Sequence, residues 1–178
     1  VVHLKSSREI EIMARGGQLL ARTLELLKSR VRPGISTKEL DTIAEEFIRS
    51  QPGASAAFKG LYGFPGSVCI SINEEIVHGI PSAKRILKEG DIVSLDFGVK
   101  LEGYFTDAAI TVPVGEITAQ DQTLLAVTQE ALAAGIRGGS RGEPHRRHRR
   151  GNLGGRAARG VHDGGRPGGA LCRHQAAW

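Results

Sequence analysis

The residues of this sequence best suited to chemistry lie at positions 90–115, "GDIVSLDFGVKLEGYFTDAAITVPVG". Two apolar runs flank a short polar loop, and each run holds one aspartate in its interior, Asp96 and Asp107. A hairpin centred on the loop "KLEG" at 100–103 predicts a register in which Asp96 stands directly opposite Asp107. Directly opposed residues share a face, with Cβ atoms about 4.5–5.5 Å apart, and like charges there destabilise the pair. Two arrangements remove the conflict. One carboxyl keeps its proton, its pKa raised by the other, or a cation sits between them. Carboxylates, joined by imidazole, select ions such as Mn, Fe, Co or Zn. A one-residue slip of register would instead leave both aspartates at a solvated edge. Alternation sets Val93, Leu95 and Phe97 on one face and Ser94, Asp96 and Gly98 on the other, which is polar and open.

The elements that must position this hairpin precede it. "SSREIEIMARGGQLLARTLELLKSRV" predicts a helix, with Ser6 and Glu9 as a capping box and Ile10, Met13, Leu20, Leu24, Leu27 and Val31 at helical spacing. Pro33 and Gly34 stop it. "STKELDTIAEEFIRSQ" predicts a second helix, with Ser36 and Glu39 as its box and a face of Leu40, Ile43 and Phe47. "FKGLYGFPG" predicts a loop with exposed rings, and "SVCISIN" a strand alternating Val68, Ile70 and Ile72 against Cys69, Ser71 and Asn73. "IVHGIPS" predicts a short strand or extended segment ending at Pro81. A third helix follows in "TAQDQTLLAVTQEALAAGI", with Thr118 as N-cap and Leu124, Val127 or Thr128, Ala131 and Leu132 on its apolar side.

The net charge of +5 conceals a division. Residues 1–137 hold 15 Lys and Arg against 17 Asp and Glu; residues 138–178 hold nine Arg against Glu143 and Asp163 alone. The second part also carries 11 Gly and four His, and its only large apolar residues are Leu153, Val161, Leu171 and Trp178. So few cannot offset the entropy of ordering the segment. The expectation is therefore a folded part over 1–137, which the family resemblance given below makes the N-terminal part of a catalytic domain, and a disordered or out-of-frame Gly/Arg-rich tail over 138–178. "EPHRRHRRG" could otherwise serve as an RNA-binding arm. Two cysteines without framework spacing, no apolar leader and no long apolar run predict a cytoplasmic protein with no membrane span.

"FPGSVCISINEEIVHGIP" followed by "LKEGDIVSLDFGVKLEGYFTDAAITVPVG" strongly resembles the N-terminal half of the bacterial-type (type I) methionine aminopeptidases, over roughly residues 4–137. The resemblance implies the pita-bread fold, an α/β (α+β) architecture with helices on the outer face of a curved antiparallel sheet. It implies a metallo-exopeptidase that uses two divalent metal ions (Co, Mn, Fe or Zn) to remove the initiator methionine from nascent polypeptides. It further implies a monomer that works in the cytoplasm, at the ribosome, and on neither membrane nor DNA. Carried over to matching positions, Asp96 chelates one metal, Asp107 bridges both, and His78 in "VHGIP" contacts the substrate near the scissile bond. Phe64 and Cys69 fall where the family lines its methionine pocket. The rivals are another pita-bread peptidase of the Xaa-Pro type and a non-catalytic member that binds RNA or the ribosome.

The family takes three further metal ligands, a His in a "GHGIG"-like segment and two later glutamates, from its second half. No such motif is present here, and His145, His148, His162 and His174 take no role from the resemblance. Two aspartates are too few ligands to hold two ions tightly. The expectation is that the 178-residue chain, truncated or frameshifted in its C-terminal part, releases no methionine from a Met-Ala peptide.

Overall fold

Both capping boxes form and set the first two helices. In the computed structural model, which describes residues 4–138, the Ser6 side chain accepts from the Glu9 N–H while the Glu9 carboxylate accepts from the Ser6 N–H at 2.7 Å. This starts α1, Ser7–Arg30. Ser36 and Glu39 repeat the arrangement and start α2, Thr37–Arg49. Each box satisfies N–H groups that the first helical turn leaves without partners.

The four strands are β1 Ala54–Ala56, β2 Val68–Ile72, β3 Ile92–Leu101 and β4 Tyr104–Pro113, all antiparallel. The ten-residue β3 is the axis of the sheet. Its first half pairs with β2 and its last residues with β1 along one edge, while β4 runs along the other. Val93, Leu95, Phe97 and Val99 of β3 are buried. They join Val68 and Ile70 of β2 and the helix residues Leu20, Leu24, Leu27, Leu40, Ala44 and Ile48 in one core. Helices thus cover one face of the sheet, as the alternation of β3 requires.

Leu20, Leu24 and Leu27 of the stripe expected on α1 are buried, while the first turns of α1 and the face of α2 differ from those expected. On α1 the inward residue of the first turns is Ile12, and Ile10 is 56% exposed. On α2 the buried line is Leu40, Ala44 and Ile48, with Ile43 and Phe47 half-buried at its margin. Asp41, one residue past Leu40, is buried with them. Residues 74–81 form no strand: Glu74 lies in a turn, the chain bends at Val77, and His78 has a φ of 62°.

The helix α3, Ala119–Gly138, starts directly after Thr118 and belongs to a second unit of the chain. Val127, Ala131 and Gly135 are its buried positions, while Leu124 and Leu132 are exposed. The tail expected over 138–178, with its Arg-rich segment, lies outside the described residues beyond Gly138. Among the described residues no helix is long and apolar enough to cross a membrane.

Candidate metal centre and pocket

The β3–β4 turn corrects the expected register. Leu101 pairs with Tyr104, so the turn is the two residues Glu102 and Gly103, both with positive φ (48° and 87°). Such two-residue turns match the twist of the flanking strands. Asp96 consequently faces Ala109, and Asp107 faces Gly98. The two aspartates are diagonal rather than directly opposed. The displacement is an even number of residues, so both remain on the face away from the helices.

Asp96 is the polar centre of that face. It lies between Cys69 on β2 and Ala109 on β4. Its Oδ1 is fully buried without a hydrogen-bond partner, a condition that only Thr106 Oγ1 shares among the described residues. Burial raises the Asp96 carboxyl to about 6, and the charge and hydrogen-bonding proximity of Asp107 push in the same direction. A buried oxygen without a donor, beside a second carboxylate, is a donor set that fits a cation. Among the described residues, though, no group of three or more His, Cys, Asp or Glu side chains is gathered to hold one. The two aspartates supply part of a coordination shell.

The surroundings of the pair are apolar and shaped. The Cys69 side chain is buried. Burial, then the charges of Asp96, Asp107 and Asp41, push its thiol up to about 12. Cys69 therefore stays protonated and lines the face as a small apolar group rather than acting as a nucleophile. Gly98, opposite Asp107, has no room for a side chain, because an added Cβ would stand 2.7 Å from the Phe58 ring. Phe58 thus lies over the strand beside the aspartates. In the sequence Phe58 is one ring of a loop expected to expose its aromatics, and the one signal of its packing is the glycine within an otherwise regular strand.

Phe64 and His78 come from the segments on either side of β2. Phe64 is half-buried in the loop that leads into β2, which is closed by Gly60 N–H to Phe64 C=O and Phe64 N–H to Leu61 C=O, each at 2.9 Å. His78 follows β2. It is exposed, has φ of 62°, and its imidazole has no partner among the described residues. Its neighbour Gly79 is pressed against β2. The Ile70 N–H donates to Gly79 C=O at 2.8 Å, and the Gly79 N–H donates to Ser71 Oγ at 3.1 Å. A Cβ on Gly79 would lie 2.0 Å from the Ile70 carbonyl oxygen, so only glycine fits and the position of His78 follows from it. Of the five residues expected at the site, the sheet brings Asp96, Asp107 and Cys69 together on one face. Phe64 and His78 sit on connections at the two ends of β2.

This half-covered antiparallel sheet, with paired carboxylates on its open face, is the architecture of a pita-bread metallohydrolase. The model of metallopeptidase family M24 matches residues 11–146, and the chain belongs to that family. Methionine aminopeptidase 1 of Bacillus subtilis (strain 168) is 54% identical over 139 residues, which are 78% of this chain and 55% of that protein. Among solved structures, methionine aminopeptidase from Thermotoga maritima superposes with a TM-score of 0.74 at 36% identity, over 76% of this chain and 54% of its own. The Xaa-Pro dipeptidase from Bacillus anthracis gives a TM-score of 0.75 at 26% identity, over 88% of this chain and 42% of its own. The chain spans about half the length of the curated relatives it matches. Membership of the family implies divalent metal ions as cofactors.

Proposed function

We propose that these residues serve a metal-dependent aminopeptidase that removes the N-terminal methionine of nascent polypeptides. The observation that carries the reading is the Oδ1 of Asp96, buried beside Asp107 and without a partner among the described residues, in a chain 54% identical over 139 residues to a methionine aminopeptidase. Asp96 and Asp107 would hold divalent metal, two ions in the complete site, drawn from Co, Mn, Fe or Zn. When bound, such ions lower the pKa of water toward about 7 and stabilise charge that develops on an attacked carbonyl.

The chain's own groups have distinct tasks in this reading. Exposed Asp107 and half-buried Asp96 would both supply carboxylate oxygens to the metal, Asp107 to both ions and Asp96 to one, as the family resemblance implies. His78, without a partner among the described residues, donates a hydrogen bond to the substrate at the reacting carbonyl. Cys69, Phe64 and Phe58 provide an apolar, water-excluding wall suited to an unbranched thioether side chain. On this reading the activity belongs to the cytoplasm and the ribosome, with the protein as a monomer. The Xaa-Pro reading has less support, because identity falls from 36% to 26% between the two solved structures.

The test is complementation. The 178-residue chain is mixed with the part of the Bacillus subtilis relative beyond the 139 matched residues, and methionine release from Met-Ala-Ser is followed with Mn²⁺ or Co²⁺. The expected result is release by the mixture, none by either part alone, and none after Asp107→Asn. Release that survives Asp107→Asn, no release by the mixture, or preferential cleavage of Xaa-Pro peptides would overturn the reading.

A further inference from the structure

The loop that carries Phe64 has few apolar anchors of its own, yet both of its ends are fixed by one helix. Asp41 and Glu45 lie four residues apart on α2 and therefore share a side of it. Asp41 is 1% exposed. Its Oδ1 accepts from the Ser67 N–H at 2.6 Å and the Val68 N–H at 3.1 Å, where the chain enters β2. Lys38 Nζ meets its other oxygen at 2.8 Å. Glu45 joins the two ends of the loop. Its Oε2 accepts from Ser67 Oγ at 2.8 Å and from Lys59 Nζ at 2.5 Å. A single carboxylate thus holds residue 59 and residue 67 together.

We propose that Asp41 and Glu45 are positioning residues that clamp the loop 59–67 from the outer helix and so set the shape of the candidate methionine pocket. The inference rests on the aminopeptidase reading for the pocket's occupant, but the clamp itself does not. Between the clamped ends the backbone adopts positive φ at Gly60, Tyr62 and Gly63 (82°, 49° and 81°), which needs external support at the non-glycine residue. Gly66 is seated against the clamp: an added Cβ would be 3.0 Å from Asp41 Oδ1 and 2.8 Å from Pro81 Cγ. Next to the clamped loop, Phe58 lies over Gly98, opposite Asp107. An isolated exposed ion pair would do little. Here the buried Asp41 is satisfied by backbone donors, and Glu45 serves two donors at once. The Lys59 and Ser67 contacts also hold the Glu45 carboxyl below its ordinary range. Fixing the loop in advance spares its ordering cost when substrate binds, which acts on affinity rather than on the chemical step.

Two measurements test this, with Glu45→Gln as the main variant and the charge exchange Glu45→Lys with Lys59→Glu as the rescue. Hydrogen exchange on the 178-residue chain is expected to quicken about tenfold over residues 59–67 in Glu45→Gln, to leave the β3–β4 hairpin unchanged, and to recover in the exchanged pair. In the complemented mixture, KM for Met-Ala-Ser is expected to rise about tenfold with kcat within about twofold, again recovering in the exchanged pair. Unchanged loop exchange, a kcat loss without a KM change, or failure of the exchanged pair to restore either quantity would overturn the clamp. If the wild-type mixture shows no turnover, the aminopeptidase reading fails, and the exchange data alone decide whether the clamp exists.

Discussion

The two faces of β3 differ by one residue in register and by almost everything else. Toward the helices, Val93, Leu95, Phe97 and Val99 are fully buried among apolar neighbours. Toward the open side, Ser94 is half-buried and bonded to Thr111 at 2.9 Å, Gly98 is left without a Cβ, and Asp96 keeps a buried oxygen without a partner among the described residues. One face holds the sheet together. The other spends stability on a carboxylate that nothing within the described chain neutralises. Sites built for chemistry commonly carry such costs, supported by elements that are well satisfied.

The contrast predicts substitutions with effects of different size and sign. Phe97→Ala, on the helix-facing side, is expected to cost about 3–5 kcal/mol through lost burial and a residual cavity. Urea unfolding measures it. Gly98→Ala, its neighbour on the open side, is expected to cost about 1–3 kcal/mol, because the added methyl meets Phe58 and Ala57 at 2.7 and 2.9 Å. A matching loss at both positions would break the distinction between faces in one direction; no loss at Gly98 would break it in the other. Asp96→Asn should do the reverse of both. In metal-free buffer it relieves a like-charge pair, and a gain below about 1 kcal/mol, discounted for the half-exposed site, is expected in thermal melts.

The smallest effect lies where α1 grips the hairpin. The Glu9 carboxylate accepts from Ser6 and from the Tyr104 hydroxyl at 2.9 Å. The Ser6 bonds, then Tyr104, lower it from 4.5 to about 2. A carboxyl lowered on folding contributes stability that is full above its unfolded value and is lost as pH falls through its folded value. Thermal melts between pH 5 and pH 2 should therefore show a steeper acid loss in the wild type than in Glu9→Gln.

The alternation of SVCISIN and of the aspartate hairpin made the faces of the sheet legible before any coordinates. A strand has only two faces, and an even register error leaves each residue on its own side. That is why Asp96 and Asp107 were rightly placed together although their direct opposition was not. The turn was misplaced because Glu102 is an unusual occupant of a positive-φ position, and the preference that marks such turns belongs to Asn and Asp. The capping boxes were legible because their chemistry is local. Asp41 was not, because its partners at 67 and 68 are far along the chain. Phe58 was missed for the same reason: its contact with Gly98 depends on how β1 meets β3.

The proposed aminopeptidase site requires that Asp96 and Asp107, diagonal neighbours on one face of the sheet, together hold a divalent cation. The most direct test is Mn²⁺ titration of the 178-residue chain followed by electron paramagnetic resonance, with Asp96→Asn and Asp107→Asn as comparisons. The wild type is expected to bind Mn²⁺, and each substitution to weaken binding at least about tenfold. Equal Mn²⁺ affinity in all three proteins would contradict it.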